Sequence, residues 1–130
     1  MKIRPSLEKR MKDMDASGRG RFHAAAEEGQ VLFSTRLEDG QLDIYMDGFS
    51  FGKDKLMSRI FFADVSSIDS HLNAELFSNA GRSGDLDFYV PLDIRHASSN
   101  ISLSVPLLTY SNVINILVEL REEWMKQASS

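Results

Sequence analysis

The chain of 130 residues contains no cysteine. This absence excludes a disulfide framework, a metal site with thiolate ligands and a cysteine nucleophile, and it fits a reducing compartment. No stretch approaches the ~18 consecutive apolar residues that a membrane span needs. The first ten residues also lack the apolar core of a signal peptide. We therefore expect a soluble, cytoplasmic protein whose length suits one main domain.

The short motifs that mark many enzymes are also missing. No serine stands in a Gly-x-Ser-x-Gly elbow, and the glycine-containing segments at residues 18–20 and 81–84 lack the rest of a phosphate-binding fingerprint. His23, His71 and His96 do not have the spacing of a zinc-ligand set. We therefore expect a non-enzymatic protein with no catalytic residue, no cofactor and no metal.

The net charge is only −4, but charge is distributed unevenly along the chain. Residues 1–21 carry seven basic and three acidic side chains, a net charge of +4, whereas the rest carries eight basic and sixteen acidic side chains, a net charge of −8. The interspersed acids and the absence of an aromatic residue before Arg21 argue against nucleic-acid binding. The basic segment is typical of a solvated helix face.

The basic segment has apolar residues at helical spacing, at Leu7, Met11 and Met14. This stripe predicts a short amphipathic helix that rests on the body of the protein. Residues 17–20 end that helix, and residues 22–28 are expected to form a second helical turn that ends at Gly29. We accordingly divide the chain into an N-terminal helical arm, residues 1–29, and a main domain, residues 30–130.

From residue 31 onward the apolar period changes from that of a helix to that of a strand. The predicted strands lie at residues 31–37, 41–46, 49–51, 56–62, 65–77, 86–94 and 101–105. The first two flank Glu38-Asp39-Gly40, which is typical of a hairpin turn. Their alternating polarity indicates half-buried antiparallel strands, and Pro91 suggests an edge strand or a bulge.

A long amphipathic helix is predicted at the end of the chain. Its apolar stripe comprises Val113, Ile116, Leu117, Leu120 and Trp124. Pro106 closes the last strand, and Thr109 or Ser111 can cap a helix that runs to about Lys126. The predicted fold class is therefore α+β. It is an antiparallel curved sheet or partly open barrel of six or seven strands, capped by the C-terminal helix and preceded by a short N-terminal helix.

Two segments resemble bacterial pleckstrin-homology-like (PH-like) and GRAM-like domains. They are Asp-Gly-Phe-Ser-Phe at residues 47–51 and Ile-Phe-Phe-Ala-Asp-Val-Ser-Ser-Ile at residues 60–68, with its apolar-x-x-x-Asp-apolar corner. The resemblance covers residues 31–127, including the order of strands followed by one helix. It implies a fold that mostly binds rather than catalyses.

Lipid-binding members of that family place a basic cluster on and around the first hairpin. Here that hairpin is acidic at residues 38–40, which would repel phosphate. Lys53, Lys55 and Arg59 are the nearest substitute and are the candidate contacts for an anion or lipid. Phosphoinositide or membrane binding is therefore disfavoured.

Acidic residues interrupted by tyrosine are predicted on outward strand faces. They are Asp43, Tyr45, Asp47, Asp85, Asp87, Tyr89 and Asp93. Tyrosine is enriched at protein interfaces, and a basic partner would be steered to such rows. The leading hypothesis is a PH-like module that works through protein–protein contacts. The alternatives are an immunity-type inhibitor of a cognate basic toxin and a module that binds an anionic membrane surface.

Overall fold

A computed structural model describes residues 3–27, 29–54, 56–70, 89–97 and 99–128. The chain begins with helix α1 (Pro5–Ala16) and strand β1 (Arg21–Phe22). Four longer strands and a 3-10 turn follow: β2 (Phe33–Leu37), β3 (Gly40–Tyr45), β4 (Gly48–Lys53), β5 (Leu56–Phe61) and the turn Phe62–Asp64. The remaining elements are β6 (Val65–Ser70), β7 (Tyr89–His96), β8 (Ser99–Pro106) and helix α2 (Leu107–Ala128).

Strands β1 to β5 form one antiparallel sheet in sequence order. Leu37 pairs with Gly40 and Tyr45 pairs with Gly48, so two-residue turns join β2 to β3 and β3 to β4. Such tight turns agree with the right-handed twist of antiparallel strands. The predicted hairpins are confirmed, and the register that they set decides which side chains share a face.

Strands β6, β7 and β8 form a second antiparallel sheet, with β7 in the centre. Of the two alternatives predicted for Pro91, the edge strand is therefore wrong, and the described pairing of β7 with β8 shows no bulge at this residue. Pro91 pairs with Ser104 on β8, but it lies one residue beyond the last described pair with β6, between Ser70 and Leu92. Proline lacks the backbone N–H that strand pairing uses, and none of the described pairs between β6 and β7 needs that group at Pro91.

The predicted alternation of the later strands is confirmed by their burial. Val90, Leu92 and Ile94 of β7 and Leu103 and Val105 of β8 are buried in the core. Since successive side chains of a strand point to opposite faces, one face of this sheet packs inward. Helix α2 lies against that sheet, and its predicted stripe is buried from Val113 to Leu120.

Helix α2 begins earlier than the sequence predicts. It starts at Leu107, directly after β8, so Thr109 and Ser111 lie inside the helix and neither caps its start. The Thr109 hydroxyl instead donates to the Pro106 carbonyl oxygen at 3.3 Å. Tyr110 is buried, and its hydroxyl donates to the carbonyl oxygen of Pro91 at 2.8 Å, which joins the helix to β7.

Helix α1 packs as its apolar stripe predicts, with Leu7, Met11 and Met14 buried in the common core. Arg4 Nε donates to Glu123 at 2.5 Å and Arg10 Nη1 donates to Asn112 at 2.8 Å, so α1 and α2 run antiparallel. The hydrogen bond to Glu123 raises the pKa of the Arg4 guanidinium above its ordinary value. This contact ties the start of the chain to its last helix.

The second helical turn expected at residues 22–28 is wrong. Arg21 and Phe22 form β1, which pairs with Ser34 and Phe33 of β2. Because β1 has only two residues, it is too short to leave a periodic pattern in the sequence. With this strand the described residues contain eight strands, against the six or seven that were expected for the domain.

The architecture is α+β, with a five-stranded and a three-stranded antiparallel sheet between two helices in the chain order. The strands in the described ranges do not close into a barrel. The two sheets approach each other where Glu38 N–H donates to the Ser104 carbonyl oxygen at 3.0 Å. Neither α1 nor α2 is long and apolar enough to cross a membrane.

Candidate functional site

One face of the five-stranded sheet points away from the core, and we call it the outer face. A row of cross-strand partners crosses it in the order Arg21, Ser34, Asp43, Ser50 and Arg59. The adjacent row belongs to the opposite face and carries the core residues Phe33, Ile44, Phe49 and Ile60. Five strands at a spacing of about 4.8 Å place Arg21 and Arg59 about 19 Å apart, at opposite edges.

At the β5 edge, Arg59 lies between two aromatic rings. Its guanidinium carbon is 3.9 Å from the centroid of Tyr45 and 4.6 Å from that of Phe61. Arg59 Nη2 also donates to Asp47 Oδ1 at 2.5 Å. We call these four residues, Tyr45, Asp47, Arg59 and Phe61, the Arg59 stack. A cation held between rings and paired with a carboxylate is a fixed group on this surface.

Gly48 makes room for this arrangement. It pairs with Tyr45 on one side and Phe61 on the other, so it lies between the two rings in register. A Cβ atom at Gly48 would come within 2.9 Å of the Arg59 Nη1 atom and 2.1 Å of the Ile60 carbonyl oxygen. The gap that glycine leaves is therefore the space that the guanidinium uses.

A groove adjoins the Arg59 stack. It has a volume of about 700 Å³ and is lined by Tyr45, by the segment 23–26 and by residues 29–31. Three alanines and one valine supply much of its wall. On the other side of Tyr45, Phe61 leaves 46% of its surface exposed. An aromatic pair beside a shallow groove lined mainly by small residues is suited to receive a side chain of another protein.

The structure brings together three of the residues predicted to bind a partner. Tyr45 and Asp47 belong to the Arg59 stack, and Asp43 lies in the same sheet. Asp43 accepts hydrogen bonds from Ser34 Oγ at 2.8 Å and from Gln41 Nε2 at 2.6 Å. Both carboxylates of this group are therefore engaged within the protein, and its aromatic side chains are the more available part.

The described members of the second predicted row, Tyr89 and Asp93, belong to the other sheet. Tyr89 begins β7, and Asp93 lies in the middle of that strand opposite Asp69. Asp85 and Asp87 lie outside the described residues. The two rows that the sequence suggested are consequently carried by different sheets.

The residues predicted to contact an anion or lipid do not form one described group. Lys53 ends β4, three register positions from Arg59, which corresponds to about 10 Å along the strand. Lys55 is not among the described residues. Arg59 forms an ion pair with Asp47 and lies against two aromatic rings. Leu56 follows in the chain and is 85% exposed, so the tip of the β4–β5 hairpin presents an apolar side chain.

A second concave region went unnoticed in the sequence. It is a cavity of about 420 Å³ at the β1 edge of the outer face, and residues 18–21, His23, residues 34–36 and Gln41 line it. Its one sequence signal is the alternation Gly18-Arg19-Gly20-Arg21. That alternation does not match a known phosphate-binding fingerprint, and Arg36 reaches the cavity only through the pairing of β2.

Within the described ranges, no three His, Asp or Glu side chains are grouped so that they could hold a metal ion. Comparisons of the chain with protein families, with curated proteins and with solved structures give no match. The geometry of the outer face is therefore the basis for a functional assignment.

Proposed function

We propose that this protein is a non-enzymatic interaction module that binds a protein partner through the Arg59 stack and the adjoining groove. The observation that carries this proposal is the exposure of Phe61, 46%, next to an arginine and a tyrosine that are already held in place. Tyrosine, tryptophan and arginine dominate the energetics of protein interfaces, and pre-positioned side chains lose little entropy on binding.

The fold order supports a binding role. Four consecutive longer strands, a three-stranded sheet and one terminal helix follow the order that the resemblance to PH-like domains leads us to expect. The short 3-10 turn Phe62–Asp64 lies at the corner that carries this resemblance. We therefore retain a PH-like module as part of the proposal.

The chemistry of the stack refines the expected partner. Asp43 and Asp47 are engaged by neighbouring side chains, so we assign the anchoring contacts to Phe61 and Tyr45. The partner would place apolar side chains on these rings. The chain's net charge of −4 would steer a basic partner toward the module, while the polar rim would set its orientation.

Affinity capture with a matched pair of variants tests this proposal. Phe61→Ala removes the exposed ring of the stack, and Leu108→Ala removes a comparably exposed apolar side chain from α2. Proteins captured by the wild type and by Leu108→Ala should be lost from Phe61→Ala, with affinity reduced about 30-fold for a hot-spot residue. Equal capture by all three forms would contradict the assignment.

The identity of the captured protein separates the two forms of this function. The immunity-type alternative requires a single basic enzyme whose activity falls as the module is added in a one-to-one ratio. The general interaction module requires only stable binding. In both forms, Phe61→Ala should weaken the complex, because the same rings provide the anchor.

A second candidate function is contact with an anionic membrane, favoured by the exposed Leu56 beside Lys53 at the hairpin tip. An apolar side chain next to a base suits the interface of an anionic bilayer. Flotation with phosphatidylserine vesicles should retain the wild type and lose Leu56→Ser. An absence of retention at low salt would rule out this function.

A further inference from the structure

The arginines divide into two groups by their partners. Of the eight in the described residues, five donate to carboxylate, amide or backbone oxygens: Arg4, Arg10, Arg59, Arg95 and Arg121. Arg19, Arg21 and Arg36 have no side-chain partner within those same residues. All three line the 420 Å³ cavity at the β1 edge. The three described arginines whose side chains have no hydrogen-bond partner are thus gathered in one concave place.

The loop that carries two of these arginines is held in position. Thr35 is buried, and its hydroxyl donates to the Arg19 carbonyl oxygen at 2.9 Å. Arg19 N–H donates to the Met14 carbonyl oxygen at 2.9 Å, which fixes the loop to the end of α1. Gly20 packs so closely on the Phe33 ring that a Cβ atom would come within 2.3 Å of Cζ. These contacts hold the loop on β2 before any ligand arrives.

Two acidic side chains lie near the cavity, and both accept hydrogen bonds from the protein. Asp43 accepts from Ser34 and Gln41, which are themselves wall residues. Asp15 accepts from the Phe22 N–H at 2.8 Å. Neither carboxylate lines the cavity or pairs with one of its arginines. The lining itself therefore presents three positive charges and no negative one.

We propose that this cavity binds a phosphate-bearing anion with more than one negative charge. The planar guanidinium group matches phosphate oxygens in a two-pronged hydrogen-bonded contact, and three such groups favour a ligand that can use several of them. The volume lies within the range of small-molecule sites. This site goes beyond the proposed protein contact, because its three arginines lie outside the groove and at the opposite edge of the sheet from the Arg59 stack, although His23 lines both the cavity and the groove.

Titration calorimetry with tripolyphosphate tests the proposal on the full chain. Arg19→Gln, Arg21→Gln and Arg36→Gln should each weaken binding about ten-fold or more, because each removes charge-assisted hydrogen bonds. Arg95→Gln is the matched control, since Arg95 is an exposed arginine on the other sheet. Arg36→Lys should retain part of the affinity, because lysine keeps the positive charge but cannot make the two-pronged hydrogen-bonded contact of a guanidinium group.

The outcome of this titration is decisive in either direction. Unchanged affinity in the three cavity variants, or an equal loss in Arg95→Gln, would overturn the proposal, since either result would indicate general charge attraction. Circular dichroism checks that each variant is folded. Phe61→Ala should bind tripolyphosphate like the wild type, so failure of this site and failure of the protein interface can be told apart.

Binding experiments with vesicles and with RNA identify the kind of molecule that carries the phosphate. Vesicles with phosphatidic acid that bind the wild type and Leu56→Ser, but not Arg36→Gln, support a lipid headgroup. Binding of tripolyphosphate without binding of these vesicles supports a soluble ligand. An RNA oligonucleotide that binds at the cavity arginines and is not displaced by tripolyphosphate would overturn the assignment to a small phosphoanion.

Discussion

Arg21 and Arg59 stand at the two ends of one cross-strand row on the outer face, but their surroundings are opposite. Arg59 is held by two rings and a carboxylate, whereas Arg21 has no side-chain partner in the described ranges. The comparison shows that a basic residue on a sheet indicates little about binding by itself. Its register neighbours decide whether the charge is used internally or remains available.

The cause lies in the neighbouring strands. At the β5 edge, Gly48 leaves a gap between Tyr45 and Phe61 that receives the guanidinium. At the β1 edge, the neighbours of Arg21 are Arg19 and Arg36, so cations gather without an aromatic or acidic cover in the cavity wall. One edge is therefore suited to an apolar anchor and the other to an anion.

The largest expected loss of stability comes from Phe49→Ala, because Phe49 belongs to the inner face on which both edges of the sheet depend. Phe49 is buried on the inner face and packs near the rings of Phe51 and Phe62. We expect the free energy of unfolding to fall by about 3–5 kcal/mol, because the truncation leaves a cavity. Urea denaturation measures the change. Phe61→Ala on the outer face should cost less than about 1 kcal/mol, and equal losses would contradict this division of the sheet.

A smaller loss of stability, caused by a change at the β1 edge alone, is expected from Gly20→Ala. The new Cβ would collide with the Phe33 ring and press on the Ser34 carbonyl oxygen, so unfolding free energy should fall by about 1–3 kcal/mol. Tripolyphosphate affinity should fall with it, while capture through the Arg59 stack persists. The control is Gly29→Ala, which has φ +85° and open space around it. That variant should lower stability by about 1–2 kcal/mol and leave tripolyphosphate affinity unchanged.

The smallest changes in the free energy of unfolding are expected from substitutions of Arg59 and Arg21, which allow the two edges to be compared directly. Arg59→Met removes the cation from the rings and from Asp47, so the free energy of unfolding should fall by about 1 kcal/mol. Arg21→Met removes no hydrogen bond or ion pair that the described residues show for this side chain, so the free energy of unfolding should stay within about 0.5 kcal/mol of the wild type. Urea denaturation of both variants provides the measurement, and identical costs would remove the distinction between the edges.

A double-mutant cycle resolves the ionic part of the Arg59 contact. Asp47→Asn combined with Arg59→Met should show a coupling energy of about 0.2–1 kcal/mol at low salt, because the pair is only partly shielded from water. At about 1 M salt this coupling should shrink. Coupling that is independent of salt would assign the contact to packing instead.

Local patterns predicted much of the fold. Alternation identified Val90, Leu92 and Ile94 as one buried face of β7, and the spacing of Leu7, Met11 and Met14 predicted α1 correctly. These predictions succeed because side-chain direction follows the period of the element. The same reasoning overlooked β1, since two residues carry no period. It also predicted an edge strand or a bulge at Pro91, which lacks an N–H, whereas β7 lies between β6 and β8.

The candidate sites were less predictable, because they depend on contacts between distant residues. Tyr45 and Asp47 were expected on an outward face, but their link to Arg59 follows from the pairing of β3, β4 and β5. Arg59 was expected to contact an anion, and the structure places it in an internal ion pair. The cavity at residues 18–21 needs the docking of that loop on Thr35.

The sequence by itself determined the α+β class, the hairpins, the apolar stripes of α1 and α2 and the strand faces that enter the core, because these depend on periods of two and 3.6 residues within short segments. Only the tertiary structure decided which of the arginines are neutralised. That outcome depends on register and on loop packing, which bring Asp47 to Arg59 and bring Arg36 beside Arg19 and Arg21. Charge is encoded residue by residue, but its availability is a property of the assembled sheet.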